Sequence, residues 1–253
     1  MKLVALLFAL FTCECCRDIN PRRAIIYSRV KKDAQSMESV ILRRRLTNVD
    51  ECRDLAESKY ALAFNFARLP SNNSDEITNC VLLHCPETSG FRQLLNVTGI
   101  DYYSAYSRRA YSGNHTLTCV RSVGLFAINF QKQNFSNARN ECQKNKSFLA
   151  DVVGDERTTG LGNLIGQFTV YVGLSNEGQR RIWKNEFGEA LACQDYRAWG
   201  MGEPSHSRGC VALFRLHPKA DPVWKVVSCA IELPYICEIP RLTDTMYLNR
   251  TLS

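Results

Sequence analysis

Apolar and polar positions alternate along short stretches in the first half of the chain, and turn-forming residues separate these stretches. ALAFNFARL at 61–69 alternates as a half-buried strand does, SNNSDE supplies a turn, and ITNCVLLHC at 77–85 is a second strand-like stretch. Ahead of them, Asp50 is a candidate N-cap for a short helix that carries Cys52. This pattern predicts a small disulfide-containing α+β module over residues 46–95.

The second half of the chain, beyond Cys119, holds all three tryptophans and has a different pattern. A strand-like stretch at 124–130 is followed by two helical stretches, NFSNARNECQ with Ser136 as a candidate cap and DERTTGLGNLIG, and then by the strand-like FTVYVGL. Further short strand-like stretches lie between long polar loops, at 182–183, 211–214, 224–229 and 235–238. Two helices followed by many short strands predict an α+β fold with an antiparallel sheet.

The N-terminus has the composition of a secretory signal. Met1-Lys2 precedes the short apolar run LVALLFALF at 3–11, and small or weakly polar residues follow it, so we predict a signal peptide over residues 1–15. No later stretch approaches the ~20 apolar residues that a membrane-spanning helix needs. The tail at 241–253 is too polar for a lipid-anchor signal. We therefore expect a secreted, extracellular protein without a membrane span.

Twelve cysteines in an exported chain predict disulfide bonds. If Cys13 and Cys15 leave with the signal peptide, ten remain: Cys16, Cys52, Cys80, Cys85, Cys119, Cys142, Cys193, Cys210, Cys229 and Cys237. The stretch CVLLHC at 80–85 offers two thiolates and His84 to a zinc ion, but it lacks a second ligand pair nearby, so we expect disulfides there too.

Six Asn-x-Ser/Thr triplets are candidate acceptors of N-linked glycans, which would place the surrounding backbone at the protein surface. The asparagines are Asn72, Asn96, Asn114, Asn134, Asn145 and Asn249. We expect only some of them to be used.

The formal net charge of +7 is concentrated near the N-terminus. Nine basic residues lie between positions 17 and 45 against three acidic ones, and we interpret residues 16–45 as a basic leader. Outside the cell such a segment can contact acidic polysaccharide or anionic surfaces, and the alternative is a solvated, partly disordered leader. Nucleic-acid binding is disfavoured because aromatic residues do not interleave with these charges. Residues 96–118, rich in Tyr, Ser, Gly and Asn, are expected to form a linker.

The module at 46–95 resembles extracellular PAN/apple and MANSC modules, on the order Cys52, Ala-Phe-Asn-Phe, Asn79-Cys80 and Cys85. An unclassified disulfide-tied domain is the alternative.

Residues 119–240 resemble a C-type lectin-like domain, because several separate sequence elements of that family recur in order. The matching elements are Ala138, Cys142, Phe148-Leu149-Ala150, Glu156, Tyr171-Val172-Gly173-Leu174, Ile182-Trp183, Gly188, Tyr196, Trp199, Glu203-Pro204, Cys210, Trp224, Cys229 and Tyr235-Ile236-Cys237-Glu238. The resemblance implies a disulfide-tied fold of two helices, antiparallel sheets and a long loop region.

The same resemblance implies two disulfide bonds, Cys142 to Cys237 and Cys210 to Cys229. Pairing Cys119 with Cys193 is then the simplest completion for this half. The pairing of the N-terminal cysteines stays open.

Sugar-binding members of this family hold a calcium ion with the Glu-Pro loop and an Asn-Asp pair after the tryptophan. Calcium needs 6 to 8 oxygen ligands, with carboxylates to offset its dehydration. Here Glu203 remains, but Ser205 replaces an asparagine and Trp224 is followed by Lys225 and Val226. We therefore predict a degenerate position without bound calcium, at which Lys225 either pairs with Glu203 or points to solvent.

These observations favour a secreted, non-enzymatic recognition glycoprotein without a cofactor, which binds an extracellular protein or glycan ligand of acidic character. Its candidate ligand-binding residues are Glu203, Ser205, His206, Arg208, Arg215 and Lys225. One alternative is a carbohydrate-binding lectin with other calcium ligands or none. Another is an extracellular-matrix component held by the basic leader.

Enzymatic activity is disfavoured by the same loop. The adjacent Ser205 and His206 lack an orienting third group and an oxyanion pocket. The four histidines have no metal-ligand spacing, and GLGNLIG at 160–166 does not follow a strand as a dinucleotide-binding loop does.

Overall fold

Two large sheets, in which most neighbouring strands are antiparallel, organise the chain in the computed structural model. The structure describes residues 24–68, 78–88, 92–107, 116–177 and 182–244. The predicted signal peptide at 1–15 and the glycan acceptors Asn72, Asn114 and Asn249 lie outside these residues. Within the described ranges, none of the helices has the length and apolar character that crossing a bilayer would take.

The first sheet has five strands in the order β1-β7-β4-β5-β3, and every neighbouring pair in it is antiparallel. Its region contains β1 (Ser28–Lys31), β2 (Ala34–Gln35), β3 (Val40–Arg44), α1 (Val49–Ser58), β4 (Ala63–Ala67), β5 (Cys80–Leu83), β6 (Leu95–Asn96) and β7 (Ile100–Ser104). α1 packs on one face through Cys52 and Ala56, which are buried, and Cys52 is bonded to Cys80 of β5.

The N-cap of α1 is Asn48, so the prediction of Asp50 is wrong. The Asn48 side chain accepts hydrogen bonds from the N–H groups of Asp50 and Glu51, and the Glu51 carboxylate accepts the N–H of Thr47 at 2.8 Å. This reciprocal arrangement satisfies backbone donors at the start of the helix, which Asp50 cannot do from inside it.

The predictions of a basic leader at 16–45 and of a linker at 96–118 are both wrong for the residues that the structure describes there. β1 and β3, from the supposed leader at 16–45, form the two edges of the first sheet, and β7, from the supposed linker at 96–118, pairs with both β1 and β4. Tyr102 and Tyr103 of β7 are buried on opposite faces of the sheet. The local composition gave the wrong prediction, because pairing between distant strands buries tyrosines that are typical of a loop when only the neighbouring sequence is considered.

The second sheet follows the order β14-β13-β11-β15-β9-β8, and β11 and β15 form its parallel pair. Its region contains β8 (Thr118–Val120), β9 (Gly124–Gln133), α2 (Phe135–Lys144), β10 (Phe148–Leu149), α3 (Asp155–Ile165), β11 (Val170–Ser175), β12 (Lys184–Asn185), a 3-10 helix (Leu191–Cys193), β13 (Cys210–Phe214), β14 (Val223–Val227) and β15 (Leu233–Glu238). The predicted α+β class with two helices and antiparallel strands in this half is confirmed.

α2 turns Ala138 and Cys142 inward as predicted, but its N-cap is Asn134 and not Ser136. The Asn134 side chain accepts the N–H of Asn137 at 2.9 Å. Ser136 is already inside the first turn, where its hydroxyl cannot reach the unpaired backbone donors.

Both disulfide bonds implied by the family resemblance are present, Cys142–Cys237 and Cys210–Cys229. The first closes a sequence separation of 95 residues, for which the chain-entropy account gives a stabilisation of about 4–5 kcal/mol. The predicted bond between Cys119 and Cys193 is wrong: Cys119 pairs with Cys85 at a Cα–Cα distance of 6.0 Å, and Cys193 is disulfide-bonded to a different cysteine. The spatial proximity of Cys85 depends on the first sheet, which sequence spacing does not reveal.

The two halves of the chain share one apolar cluster. Leu125 of β9 packs with Phe64 and Tyr103 of the first sheet and is completely buried. The Leu125 N–H donates to the hydroxyl of Tyr106 at 3.2 Å, and the N–H of Leu242 donates to the carbonyl of Ala105 at 2.8 Å. The described parts of the two sheets therefore pack against each other in one continuous structure and are not separate domains joined by a linker.

Leu125→Ala is expected to destabilise both halves together by about 3 kcal/mol, because it leaves a cavity in the cluster that they share. Differential scanning calorimetry should show one transition that moves to lower temperature. Leu216→Ala is the matched control, since that side chain is 78% exposed and its loss should leave the transition in place. Two transitions, of which only one responds to Leu125→Ala, would contradict a shared core.

A charged cluster lies inside the second half. The guanidinium of Arg157 on α3 donates to both carboxylate oxygens of Glu238 at 2.7 Å, and Glu238 also accepts the N–H of Asp151 at 3.1 Å. Burial raises the pKa of Asp151 to about 6; the charge of Arg157 opposes this shift, and the carboxylates of Glu238 and Glu189 add to it.

Asp151→Asn is expected to remove a pH dependence of stability. The pKa of Asp151 is about 6 in the folded protein, above the ~4 of an aspartate in the unfolded chain. Its favourable contribution to the free energy of unfolding is therefore present below about pH 4 and is lost as the pH rises through 6. The variant should therefore melt at a higher temperature than the wild type at pH 7, with a smaller difference at pH 4. Asp155→Asn, at an exposed position, is the control. A lower melting temperature for Asp151→Asn at pH 7 would contradict the argument.

Candidate functional site

The loop at 200–209 is the first part of the region 200–222 that was predicted to contact the ligand, and it connects the aromatic cluster around the buried Trp224 to the hairpin of β13 and β14. The N–H of Gly200 donates to the carbonyl of Trp224 at 2.9 Å, and the N–H of Trp224 donates to Ala198 at 2.7 Å. At its other end the loop enters β13, where Cys210 lies opposite Val227 of β14. Both ends of the loop are therefore fixed to the second sheet.

Aromatic side chains form the floor beneath this loop. Trp224 is completely buried and meets Trp199 and Tyr196 edge-on, with ring centroids 5.4 and 5.6 Å apart. Trp183 packs against Trp199 at 5.2 Å. Trp224 is buried and the other three rings are half-buried, and together they give the loop a rigid base.

Glu203 is held by its own loop and by β14. Its Oε2 atom accepts the N–H and the hydroxyl of Ser205, at 2.8 and 3.0 Å, and the N–H of Val226 at 3.1 Å. Burial raises the pKa of Glu203, but these hydrogen bonds and the charge of Lys225 outweigh it and leave the pKa below its ordinary value. The carboxylate is thus an anionic clamp between the loop and the strand. The Glu203–Pro204 peptide bond is cis.

The predicted ion pair between Lys225 and Glu203 is wrong. Trp224 and Val226 point inward from β14, so Lys225 between them points outward and is exposed, as the alternative prediction held. Its ammonium lies 5.7 Å from the centroid of the Phe214 ring. Glu203 meets the backbone of β14 and not the lysine side chain.

A second clamp, Asn176, was missed by sequence reasoning. Its side chain donates to the carbonyl of Ser207 and accepts the N–H of Gly209, both at 2.7 Å, and its own N–H donates to the Gly209 carbonyl at 3.1 Å. A Cβ atom at Gly209 would lie 2.7 Å from Val226, so this contact requires glycine. The available signal was an amide two residues after the end of the predicted strand FTVYVGL.

Between these two clamps the loop presents exposed polar side chains. Ser205, His206 and Arg208 are all exposed, and the Ser205 hydroxyl lies 3.0 Å from Nδ1 of His206. Serine stands between Glu203 and His206 in this chain of contacts, whereas a hydrolytic triad needs the histidine in the middle. The arrangement can offer hydrogen bonds and positive charge to a ligand.

The structure does not bring Arg215 to this group. It follows the far end of β13, about 16 Å along the strand from Cys210. Its guanidinium donates to Asn163 of α3 at 2.6 Å and to the carbonyl of Pro218 at 3.3 Å. Arg215 therefore fixes the loop after β13 to α3.

One group of potential metal ligands occurs among the described residues, formed by Glu177, Cys210 and Cys229. Its two cysteines are bonded to each other, so they offer no thiolate. This group does not fit a metal ion.

Three of the predicted glycan acceptors are described. Asn96 is exposed in β6, where its side chain accepts from Lys31 at 3.0 Å. Asn134 and Asn145 stand at the two ends of α2, and the Asn145 amide donates to the carbonyl of Glu141 at 2.9 Å.

Comparison with known proteins assigns the second half of the chain. Residues 131–239 match the sequence model of the lectin C-type domain. These residues form a C-type lectin domain. Two structures of human lithostathine are similar, at 26% and 24% identity, covering 46% and 53% of this chain and 92% and 95% of theirs, with TM-scores of 0.40 and 0.44. A mouse scavenger receptor C-type lectin carbohydrate-recognition domain is 24% identical over 46% of this chain and 90% of its own, with a TM-score of 0.39. A search of curated proteins gave no significant match.

The predicted C-type lectin-like fold is therefore confirmed, with its helices, antiparallel sheets and disulfides. C-type lectin domains typically bind ligands, and in this one the loop at 200–209 is the candidate binding surface.

Asn176→Ala is expected to loosen the loop without unfolding the domain. Hydrogen exchange at the Gly209 amide should accelerate because it loses its acceptor, and global stability should fall by about 1–2 kcal/mol. Glu177→Ala, at the exposed neighbouring position, is the control and should leave this exchange rate unchanged. Equal protection of Gly209 in both variants would show that Asn176 does not hold the loop.

Proposed function

We propose that this protein is a secreted, non-enzymatic recognition glycoprotein whose C-type lectin domain binds an acidic protein or glycan ligand without a bridging calcium ion. The contact between Glu203 and the backbone of Val226 carries this proposal. It places an N–H donor against the carboxylate at the position where the family's sugar-binding members have a calcium ligand.

The residues at this position do not fit calcium. The ion needs 6 to 8 oxygen ligands, several of them anionic. Glu203 already accepts three hydrogen bonds on Oε2, and the two residues after Trp224 supply an ammonium group and an apolar side chain. Releasing Glu203 for an ion would also leave the Val226 N–H without its partner, which costs about 1–3 kcal/mol if that group stays buried.

The charge of the exposed surface supports an acidic ligand. Between residues 200 and 227 the chain has four arginine and lysine residues against two acidic ones, and one of those acids, Glu203, is engaged within the loop. Arg208 and Lys225 are exposed and are free to approach a carboxylate or a sulfate. We expect these two side chains and His206 to contact the ligand.

The remaining features of the proposal rest on the sequence. The signal-like segment at 1–15 and the disulfide framework support secretion, and the six acceptor triplets support glycosylation. A PAN/apple- or MANSC-like identity for the N-terminal module remains a prediction that rests on the order of its cysteines.

Calcium titration by calorimetry is expected to show no saturable binding in the ~micromolar to millimolar range that extracellular sites use, because one engaged carboxylate cannot hold the ion. The matched gain-of-function control is the triple variant Ser205→Asn, Lys225→Asn and Val226→Asp. It introduces the oxygen ligands that the resemblance to sugar-binding family members implies, and it should acquire measurable calcium binding.

Binding to a glycan array that includes acidic glycans should be insensitive to a chelator and weakened by Arg208→Ser with Lys225→Ser. Lys219→Ser, an exposed lysine beyond β13, is the charge control. Saturable calcium binding that Glu203→Ala abolishes, together with chelator-sensitive glycan capture, would overturn the proposal in favour of a calcium-dependent lectin.

A further inference from the structure

The positive charge of residues 28–45 is divided between the two opposite edges of the first sheet. At the β1 edge, basic side chains have acidic partners: Arg29 pairs with Asp101 at 3.2 Å, and Arg68 pairs with Asp33 at 2.6 Å. Lys32 lies 3.9 Å from Asp33. Asp33 and Asp101 therefore partly balance the four basic side chains of this edge, which include Lys31.

The β3 edge has no such balance in the described part of the chain. Arg43 and Arg44 are exposed, and neither has an acidic side chain among the described residues within ion-pair distance. Within the described part of the chain, the guanidinium of Arg44 donates to the carbonyl of Arg43 at 3.0 Å.

The backbone that carries these arginines is held firmly. Arg43 and Arg44 lie opposite Val81 and Cys80 of β5. The buried Asn79 donates its N–H to the carbonyl of Arg44 at 3.2 Å and exchanges two side-chain hydrogen bonds of 2.8 Å with the backbone of Leu46. A ligand that contacts the arginines therefore orders their side chains but not their backbone, which lowers the entropic cost of binding.

The direction of the two side chains suits an extended ligand. Successive residues of a strand point to opposite faces, and Arg44 shares the face of Cys80, which is bonded to α1. Arg43 then lies on the other face. Because β3 is the last strand of this sheet among the described residues, the two guanidinium groups flank its outer edge, along which a linear polyanion can lie.

We propose that the β3 edge, defined by Arg43 and Arg44, is a second binding site, independent of the lectin loop, for sulfated polysaccharide. A guanidinium group matches the geometry of a sulfate with two parallel N–H donors. None of the large exposed apolar side chains in the described residues lies between 39 and 48, which disfavours insertion into a membrane surface. No exposed aromatic ring lies in this same stretch to stack with nucleic-acid bases.

The competing explanation is that the arginines protect an edge strand from pairing with other chains. That role needs charge but no ligand. The two explanations differ in measurable ways, because edge protection predicts self-association after charge removal and no change in retention on a polyanion.

Full-length protein and its variants should be compared on immobilised heparin with a sodium chloride gradient. Arg43→Ser with Arg44→Ser is expected to elute at clearly lower salt, and the slope of log affinity against log salt should fall by about one to two, by analogy with phosphate contacts. Lys184→Ser with Lys219→Ser removes the same charge from exposed positions outside both proposed sites and should elute near the wild type. Arg43→Lys with Arg44→Lys should retain part of the binding. Circular dichroism and size-exclusion chromatography establish that each variant is folded and monodisperse.

Chemically desulfated heparin and vesicles of phosphatidylserine and phosphatidylcholine complete the test. Weak binding to both probes supports a site for sulfate on polysaccharide. Equal elution of the wild type and the Arg43→Ser, Arg44→Ser variant overturns the proposal, and self-association of that variant with unchanged retention assigns the arginines to edge protection. Tighter binding to vesicles than to heparin also overturns it, in favour of a membrane surface. The difference between the wild type and the Arg43→Ser, Arg44→Ser variant does not depend on calcium, and both proteins have the same lectin loop.

Discussion

The hydrogen bond from the Val226 backbone to the Glu203 carboxylate is the contact on which the candidate binding surface depends. It joins the loop at 200–209 to β14 through a backbone N–H, which among the substitutions at position 226 only proline would remove. Because the carboxylate also accepts two hydrogen bonds from Ser205, its negative charge stabilises the loop from within. Asn176 holds the other side of the loop through Ser207 and Gly209. These neutral and anionic hydrogen-bond acceptors thereby order the loop, as a bound metal ion could otherwise do.

A second constraint is the apolar cluster that joins the two halves of the chain. Leu125, at the start of the long strand β9, is buried among aromatic side chains of the first sheet, and Cys119 is bonded to Cys85 across the same junction. The lectin domain therefore does not end at the boundary of its sequence motifs. Its first strands complete the core of the N-terminal sheet, so changes in that core also affect the stability of the lectin domain.

Motifs that depend on local spacing were predicted well from the sequence. The two helices of the lectin domain follow from short patterns of apolar residues, whereas its disulfides Cys142–Cys237 and Cys210–Cys229 were implied by the resemblance to the family. The helix caps were displaced by two residues in both cases. At each helix an asparagine and another polar residue compete for the cap, and backbone geometry at the first turn decides between them.

The sequence by itself determined the lectin fold of residues 131–239, the loss of oxygen ligands beside Trp224 and the excess of basic residues before position 45. Only the tertiary structure decided where those basic residues lie and which of them have partners. Arg29 meets Asp101 because β1 pairs with β7, 72 residues further along the chain, whereas Arg43 and Arg44 remain on an outer strand. Local pattern fixes which residues can form a strand, but the neighbours of a strand are chosen by long-range burial and hydrogen bonding, and its electrostatic partners follow from that choice.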